Sequence, residues 1–149
     1  MNTTTATRFI RRLFPKVTIV RDARKHVEVS VNNADCGKGA LKNDPAECAM
    51  ARAVRRQFKA DGAAIGIGSS YIIKGNVATR YTTPPSLSRE IVSFDRHSDF
   101  APGVYRLSPV SPSRRLGRQR PGEREGKKTG ERRMNRITHV GTVRVRTWR

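Results

Sequence analysis

An α+β fold is what this sequence predicts: a small antiparallel sheet carrying two helices, followed by a basic tail expected to be disordered. Short stretches that alternate apolar and polar residues recur between residues 17 and 107, the pattern of half-buried strands. Two stretches of helical periodicity interrupt them without forming a repeating βαβ unit. Beyond Ser113 the apolar residues thin out among Arg, Gly, Lys and Glu, a composition that rarely offsets the entropy of ordering. The chain therefore divides into a basic arm or short helix (1–16), one α+β domain (17–112) and a tail (113–149).

Met1 to Lys16 has no acidic residue and interleaves Arg8, Arg11 and Arg12 with Phe9, Ile10, Leu13 and Phe14. A transit peptide has that look. The reading adopted is a short amphipathic helix or arm on the domain. Val17–Val20 and Val27–Val31 alternate as strands, with a turn at Asp22–Lys25 between them. Asn32–Asp35 ends the second strand, and the segment with Gly37 and Gly39 is a loop.

Asp44-Pro45-Ala46-Glu47 is the strongest local signal. Asp44 can cap the free amides of a first turn, Pro45 suits the first helical position, and Glu47 can return a bond to the cap. The helix is expected to run to about Lys59, with Asp61-Gly62 ending it. At 100° per residue, Ala46, Met50, Ala51, Ala53, Val54 and Phe58 fall on one arc. Arg52, Arg55, Arg56 and Lys59 fall on the opposite one, as an outward ridge.

Ala63–Ile67 reads as a short buried strand. Tyr71–Lys74 and Val77–Tyr81 flank Gly75-Asn76, a compact hairpin signal. Pro84-Pro85 breaks the sheet, and Ser86 or Ser88 caps a second helix on which Leu87, Ile91 and Phe94 share a face. Phe100–Gly103 turns the chain into a last strand, Val104–Leu107.

Charge bears on function. Formal net charge is +19, and residues 113–149 alone hold +10. A field of that size favours polyanions. No apolar run approaches the 18 residues of a membrane span. Cys36 and Cys48 are too few for a disulfide framework and read as reduced intracellular thiols.

Catalytic and metal motifs find little support. Asp95-Arg96-His97-Ser98-Asp99 resembles a polar helix end, since sequence neighbours rarely converge on one reacting atom. Gly66-Ile67-Gly68 lacks the third glycine and the Lys-Ser/Thr of a phosphate loop. The Cys and His residues show none of the paired short spacings of a zinc site. No cofactor is expected.

Binding is the better reading. Arg52, Arg55, Arg56 and Lys59 carry no acidic residue among them, and the mild repulsion along such a ridge suits phosphate neutralisation. The same pattern also describes an ordinary solvated helix face. Tyr71, Tyr81 and Tyr105 could add stacking surface if exposed. In the tail, Arg114, Arg115, Arg118, Arg120, Lys127, Lys128, Arg132 and Arg133 resemble the Arg/Gly-rich arms that bind nucleic acid without sequence preference. Two other readings of the tail remain: alternation at Thr142–Arg146 suggests a short strand, and 122–134 is built from residues with purine-rich codons and ends at Met134. That stretch is what a ribosome-binding tract before an overlapping start would encode.

The segments Asp44–Arg56, Tyr81, Ser88–Arg96 and Pro102–Leu107 together resemble small uncharacterised accessory proteins of tailed bacteriophages and prophages. The resemblance covers about residues 17–108, leaves the tail out and carries no activity or functional residue with it. It implies a phage accessory setting in the cytoplasm of a bacterial host. The expectation is a binding protein, not an enzyme, that neutralises the phosphates of nucleic acid or another polyanion through the ridge and the basic termini. The alternative keeps the fold and changes the ligand: a host-defence antagonist that sequesters a phosphorylated nucleotide or blocks a host defence protein.

Overall fold

Hydrophobic periodicity builds three helices and six strands within residues 5–116, the part of the chain that the computed structural model describes. In chain order these are α1 (Thr5–Leu13), β1 (Ile19–Asp22), β2 (Val27–Val31), α2 (Ala49–Phe58), β3 (Gly62–Ile65), β4 (Ser69–Lys74), β5 (Val77–Thr82), α3 (Pro85–His97) and β6 (Gly103–Leu107). A 3-10 turn, Pro112–Arg114, follows.

The α+β class is as expected, but the single antiparallel sheet is not. The strands form a four-stranded mixed sheet, in the order β1-β5-β4-β3, and a separate antiparallel pair, β2-β6. β1 and β2 are adjacent in sequence yet do not form a hairpin. Asn76 accepts hydrogen bonds from the amides of Thr18 and Ile19, and Arg80 accepts one from Ala23, so β1 runs parallel to β5. The residues between β1 and β2 then carry the chain to the other sheet. A mutual pair of amide bonds between Thr82 and Ser108, 2.8 and 3.3 Å, joins the two sheets.

The hairpins are local and follow the sequence. β4 and β5 turn at Gly75, whose φ of 58° lies in the left-handed region that glycine tolerates. β3 and β4 are joined through Gly66–Gly68, so the glycine pair belongs to a hairpin loop.

Strand alternation gives the four-stranded sheet two apolar faces. Tyr71, Ile73, Ala64 and Ala78 form one, and α1 covers it with Ile10, flanked by Phe9 and Leu13. The N-terminal stretch is therefore a short amphipathic helix of the domain, with Arg8, Arg11 and Arg12 exposed. Ala63, Ile65, Ile72 and Tyr81 form the other face and enter the main core with Met50 and Val54 of α2, Leu87 and Ile91 of α3, and Val29 and Leu107 of the strand pair.

Both long helices begin differently from the sequence expectation. Asp44 does hold a turn, its carboxylate accepting the Ala46 amide at 2.9 Å. The helical ladder nevertheless starts four residues later, with Cys48 at the N-cap. The carbonyls of Pro45 and Glu47 are already taken by the amides of Ile65 and Leu41, so helical amides cannot use them. α3 is flanked by Pro84 with Pro85 in its first turn, and no serine caps it. The Ser88 hydroxyl instead donates to the Ile67 carbonyl at 2.6 Å. Phe58, expected on the inner arc of α2, is partly buried against the core.

Gly62 fixes how α1 docks. A Cβ there would lie 2.5 Å from the Phe14 ring just after α1. Gly62→Ala is expected to displace that ring and destabilise the domain by about 1–3 kcal/mol in denaturant unfolding. Gly68→Ala, with nothing within 4 Å of its added Cβ, is the control and should cost much less. Equal effects at the two positions would contradict this packing.

Candidate functional site

The outer face of α2 contains the expected arginines, but three of them already have partners. Arg55 makes a two-pronged ion pair with Glu47, at 2.7 and 3.0 Å. Arg56 pairs in the same way with Asp35, at 2.8 and 3.1 Å, and donates to the Ser30 carbonyl at 2.6 Å. Arg52 donates to the Lys38 carbonyl at 3.0 Å. Lys59, in the left-handed conformation at the C-cap, has no side-chain partner among the described residues.

The expectation of an acid-free ridge is therefore corrected. Glu47 precedes the helix in a turn that folds back on Arg55, and Asp35 arrives from 21 residues upstream. Together these contacts clamp the 30–47 segment against α2. Gln57 adds to the clamp by accepting the Ser30 amide at 2.8 Å and donating to the Glu28 carbonyl at 2.7 Å, so it occupies the open edge of β2 as a neighbouring strand would.

Asp35 is the buried centre of this clamp. Burial alone would push its carboxyl up. The hydrogen bonds from Arg56 and the Asn32 amide, with the charges of Arg56 and Arg52, outweigh burial and hold it below the ordinary 3.8. The two tyrosines at the sheet and the one in β6 give no stacking platform: Tyr71, Tyr81 and Tyr105 are each at most 8% exposed.

At the other end of the domain, the chain stays ordered past the expected boundary at 112. Asp22 and Arg80 face each other across β1 and β5 at 2.7 Å, both largely buried. Arg80 also donates to the Arg114 carbonyl at 2.7 Å, and the Leu116 amide donates to Asp22 at 2.7 Å. Residues 114–116 are thus strapped to the β1 side of the sheet. Arg118, Arg120, Lys127, Lys128, Arg132 and Arg133 lie outside the described residues, as does the Thr142–Arg146 stretch.

The strap borders a cleft. α2 packs against β3 and β2, and the β1–β5 half of the same sheet face opens into a cavity of about 1030 Å³. Arg21 and Thr79, cross-strand partners, lie on its floor beside Tyr81. Arg24 and Lys25 come from the loop before β2, and Arg115 comes from the strap. All four cationic side chains are exposed, and among the described residues none of them has an ion-pair partner. The one acid at the cleft, Asp22, is occupied by Arg80 and the Leu116 amide. Burial pushes the Tyr81 hydroxyl up, and the Arg21 charge acts against that.

A second recess of about 280 Å³ adjoins the first and shares Arg21, Val27, Thr79 and Tyr81 with it. Its own walls are Phe58, Ile72 and Val77, with Lys74 beside them. No sequence signal brings these residues together, because the alternation at 17–20 and 27–31 points to a hairpin and not to a parallel β1-β5 pair.

The remaining motifs have structural roles. Asp95 accepts the Asn43 amide at 2.8 Å, and Ser98 closes α3 in the left-handed conformation. Cys36 and Cys48 are free thiols, and burial pushes Cys48 up to about 11. Among the described residues no three His, Cys, Asp or Glu side chains cluster as metal ligands would, and no helix is long and apolar enough to cross a membrane.

Asp35→Asn is expected to cost roughly 1–3 kcal/mol at neutral pH, because the Asn32 amide and Arg56 lose a charged acceptor. A carboxyl held below 3.8 contributes stability above that pH and loses it as pH falls through the folded value. The gap between the wild-type and variant unfolding free energies should therefore be full above pH 5 and close below pH 3.8. A gap independent of pH would contradict the charged clamp.

Comparison with known protein families, with curated proteins and with solved structures finds no match to this chain.

Proposed function

We propose that this protein binds polyanions, with nucleic acid as the principal ligand class, by neutralising phosphates without reading sequence. One observation carries the reading: Arg21, Arg24, Lys25 and Arg115 meet at a single cleft with their charges unpaired, while the arginines of α2 are engaged within the fold. Four like charges around one recess repel each other, and an anion in the recess relieves that repulsion. The exposed Arg8 and Arg12 of α1, Lys59 and the +10 held by residues 113–149 extend the positive field and would speed encounter with a charged strand. The phage resemblance adds a setting, an accessory protein in the cytoplasm of a bacterial host, and binding without catalysis fits the absence of a catalytic motif in the sequence.

A second reading, sequestration of a phosphorylated nucleotide, draws support from the concave shape of the site. It shares the cleft and the phosphate chemistry with the first.

Salt dependence tests the site. Each neutralised phosphate releases counterions, so affinity falls with salt at a slope set by the number of phosphates neutralised. Replacing Arg21, Arg24 and Lys25 together by Ala is expected to flatten the log–log slope for a mixed-sequence oligonucleotide by roughly 2–3, about one for each phosphate no longer neutralised. Arg55→Ala should change it much less, because that charge is already paired with Glu47. A slope that responds to Arg52, Arg55 and Arg56 but not to the cleft triple would return the site to α2. Binding that ignores salt altogether would overturn the polyanion reading.

A further inference from the structure

We infer that the paired recesses form a site for one nucleotide unit, the base in the apolar recess and the phosphates among the cations of the cleft; this rests on the polyanion reading above. A purely electrostatic surface for phosphate needs no apolar chamber beside it. Here the two are contiguous: Arg21, Val27, Thr79 and Tyr81 line both, so a ligand reaching from one to the other passes the Arg21 guanidinium. The inner chamber is walled by Val27, Phe58, Ile72 and Val77, which suits a flat, weakly polar group. Its volume, about 280 Å³, is close to the lower end of small-ligand pockets, roughly 300 Å³. The outer one is several times larger and carries Arg24, Lys25 and Arg115, which suits several phosphates.

An apolar planar head joined to a chain of negative charges is the chemistry of a nucleotide. The polar side chains of the inner recess are Thr79, Tyr81, Lys74 and Arg21, of which Tyr81 is largely buried and Arg21 is shared with the phosphate cleft. Little discrimination among bases follows. A duplex fits poorly, because its bases are paired and stacked inside while its phosphates lie on a convex exterior; entering the recess would require a base to be flipped out at the cost of unstacking. A free nucleoside triphosphate and a nucleotide within a single strand present the same chemistry, and the test separates them.

The full chain is titrated with a nucleoside triphosphate, with inorganic tripolyphosphate, with a mixed-sequence single-stranded oligonucleotide and with its duplex, all at one salt concentration. At least one of the two base-bearing ligands is expected to bind about tenfold or more tighter than its control, tripolyphosphate for the triphosphate and duplex for the single strand. Preference in the triphosphate arm alone identifies a free nucleotide as the ligand. Preference in the strand arm alone identifies a single strand. Val77→Trp, which fills the recess from a half-buried position at the start of β5, should remove the preference and leave salt-dependent tripolyphosphate binding intact. If that variant does not fold, the four wild-type titrations still decide the matter. Equal affinity within both pairs would overturn the nucleotide site and leave the polyanion reading standing. No binding of any of the four ligands would overturn both.

Discussion

The ten-residue helix α2 covers only part of one face of a four-stranded sheet, with α3 and the β2-β6 pair completing the core beside it, and the widths do not match. Strands spaced about 4.8 Å apart make the sheet roughly 14 Å across between its outer strands, before their side chains are counted. A helix with its side chains is about 10–12 Å in diameter. α2 lies toward β3, where Ala63 and Ile65 meet Met50 and Val54. The β1–β5 half is left with Arg21 and Thr79 lining open space beside the buried Tyr81. Uncovered apolar surface at that place would be a liability, and the sequence supplies a cation at the edge strand and a threonine beside it. The cleft is therefore a consequence of coverage, and its charge follows from which residues stand at the uncovered positions.

The same coverage explains why the cations differ in kind. Those on α2 lie near the chain that wraps the helix, the 30–47 segment, and folding delivers Asp35 and Glu47 to them. Exposed ion pairs contribute little on their own. Asp35 is the exception because it is buried, accepts a backbone amide as well as Arg56, and so fixes the loop that enters α2. At the cleft no carboxylate among the described residues is left over: Asp22, the one candidate, is held by Arg80 and the Leu116 amide. Net charge says how many cations a chain carries. Their pairing decides which of them remain available to a ligand.

Local features were legible in the sequence. The Gly75-Asn76 hairpin, the apolar faces of α2 and α3, and the last strand follow from turn chemistry and periodicity within a few residues of each other. The α1 pattern likewise pointed to an amphipathic helix. Apart from the serine cap expected on α3, where Pro84 stands at the N-cap, the failures were non-local. Val17–Val20 and Val27–Val31 look like a hairpin pair, and only the Asn76 and Arg80 carbonyls, more than fifty residues on, draw β1 into a parallel pairing. Asp44 looks like a cap until Ile65 takes the Pro45 carbonyl. The arginine ridge looked unpaired because Asp35 lies 21 residues from Arg56 in sequence. The cleft draws on β1, β4, β5, the loop before β2 and the 114–116 strap, so no stretch of sequence could have displayed it.

Mapping backbone amide shifts by NMR as a single-stranded oligonucleotide is added tests the central claim most directly. The account predicts shifts concentrated at 21–27, 72–81 and 114–116, with the amides of α2 facing the 30–47 segment largely unmoved. Shifts confined to 52–59, or saturable binding that leaves every amide of 5–116 in place, would contradict it.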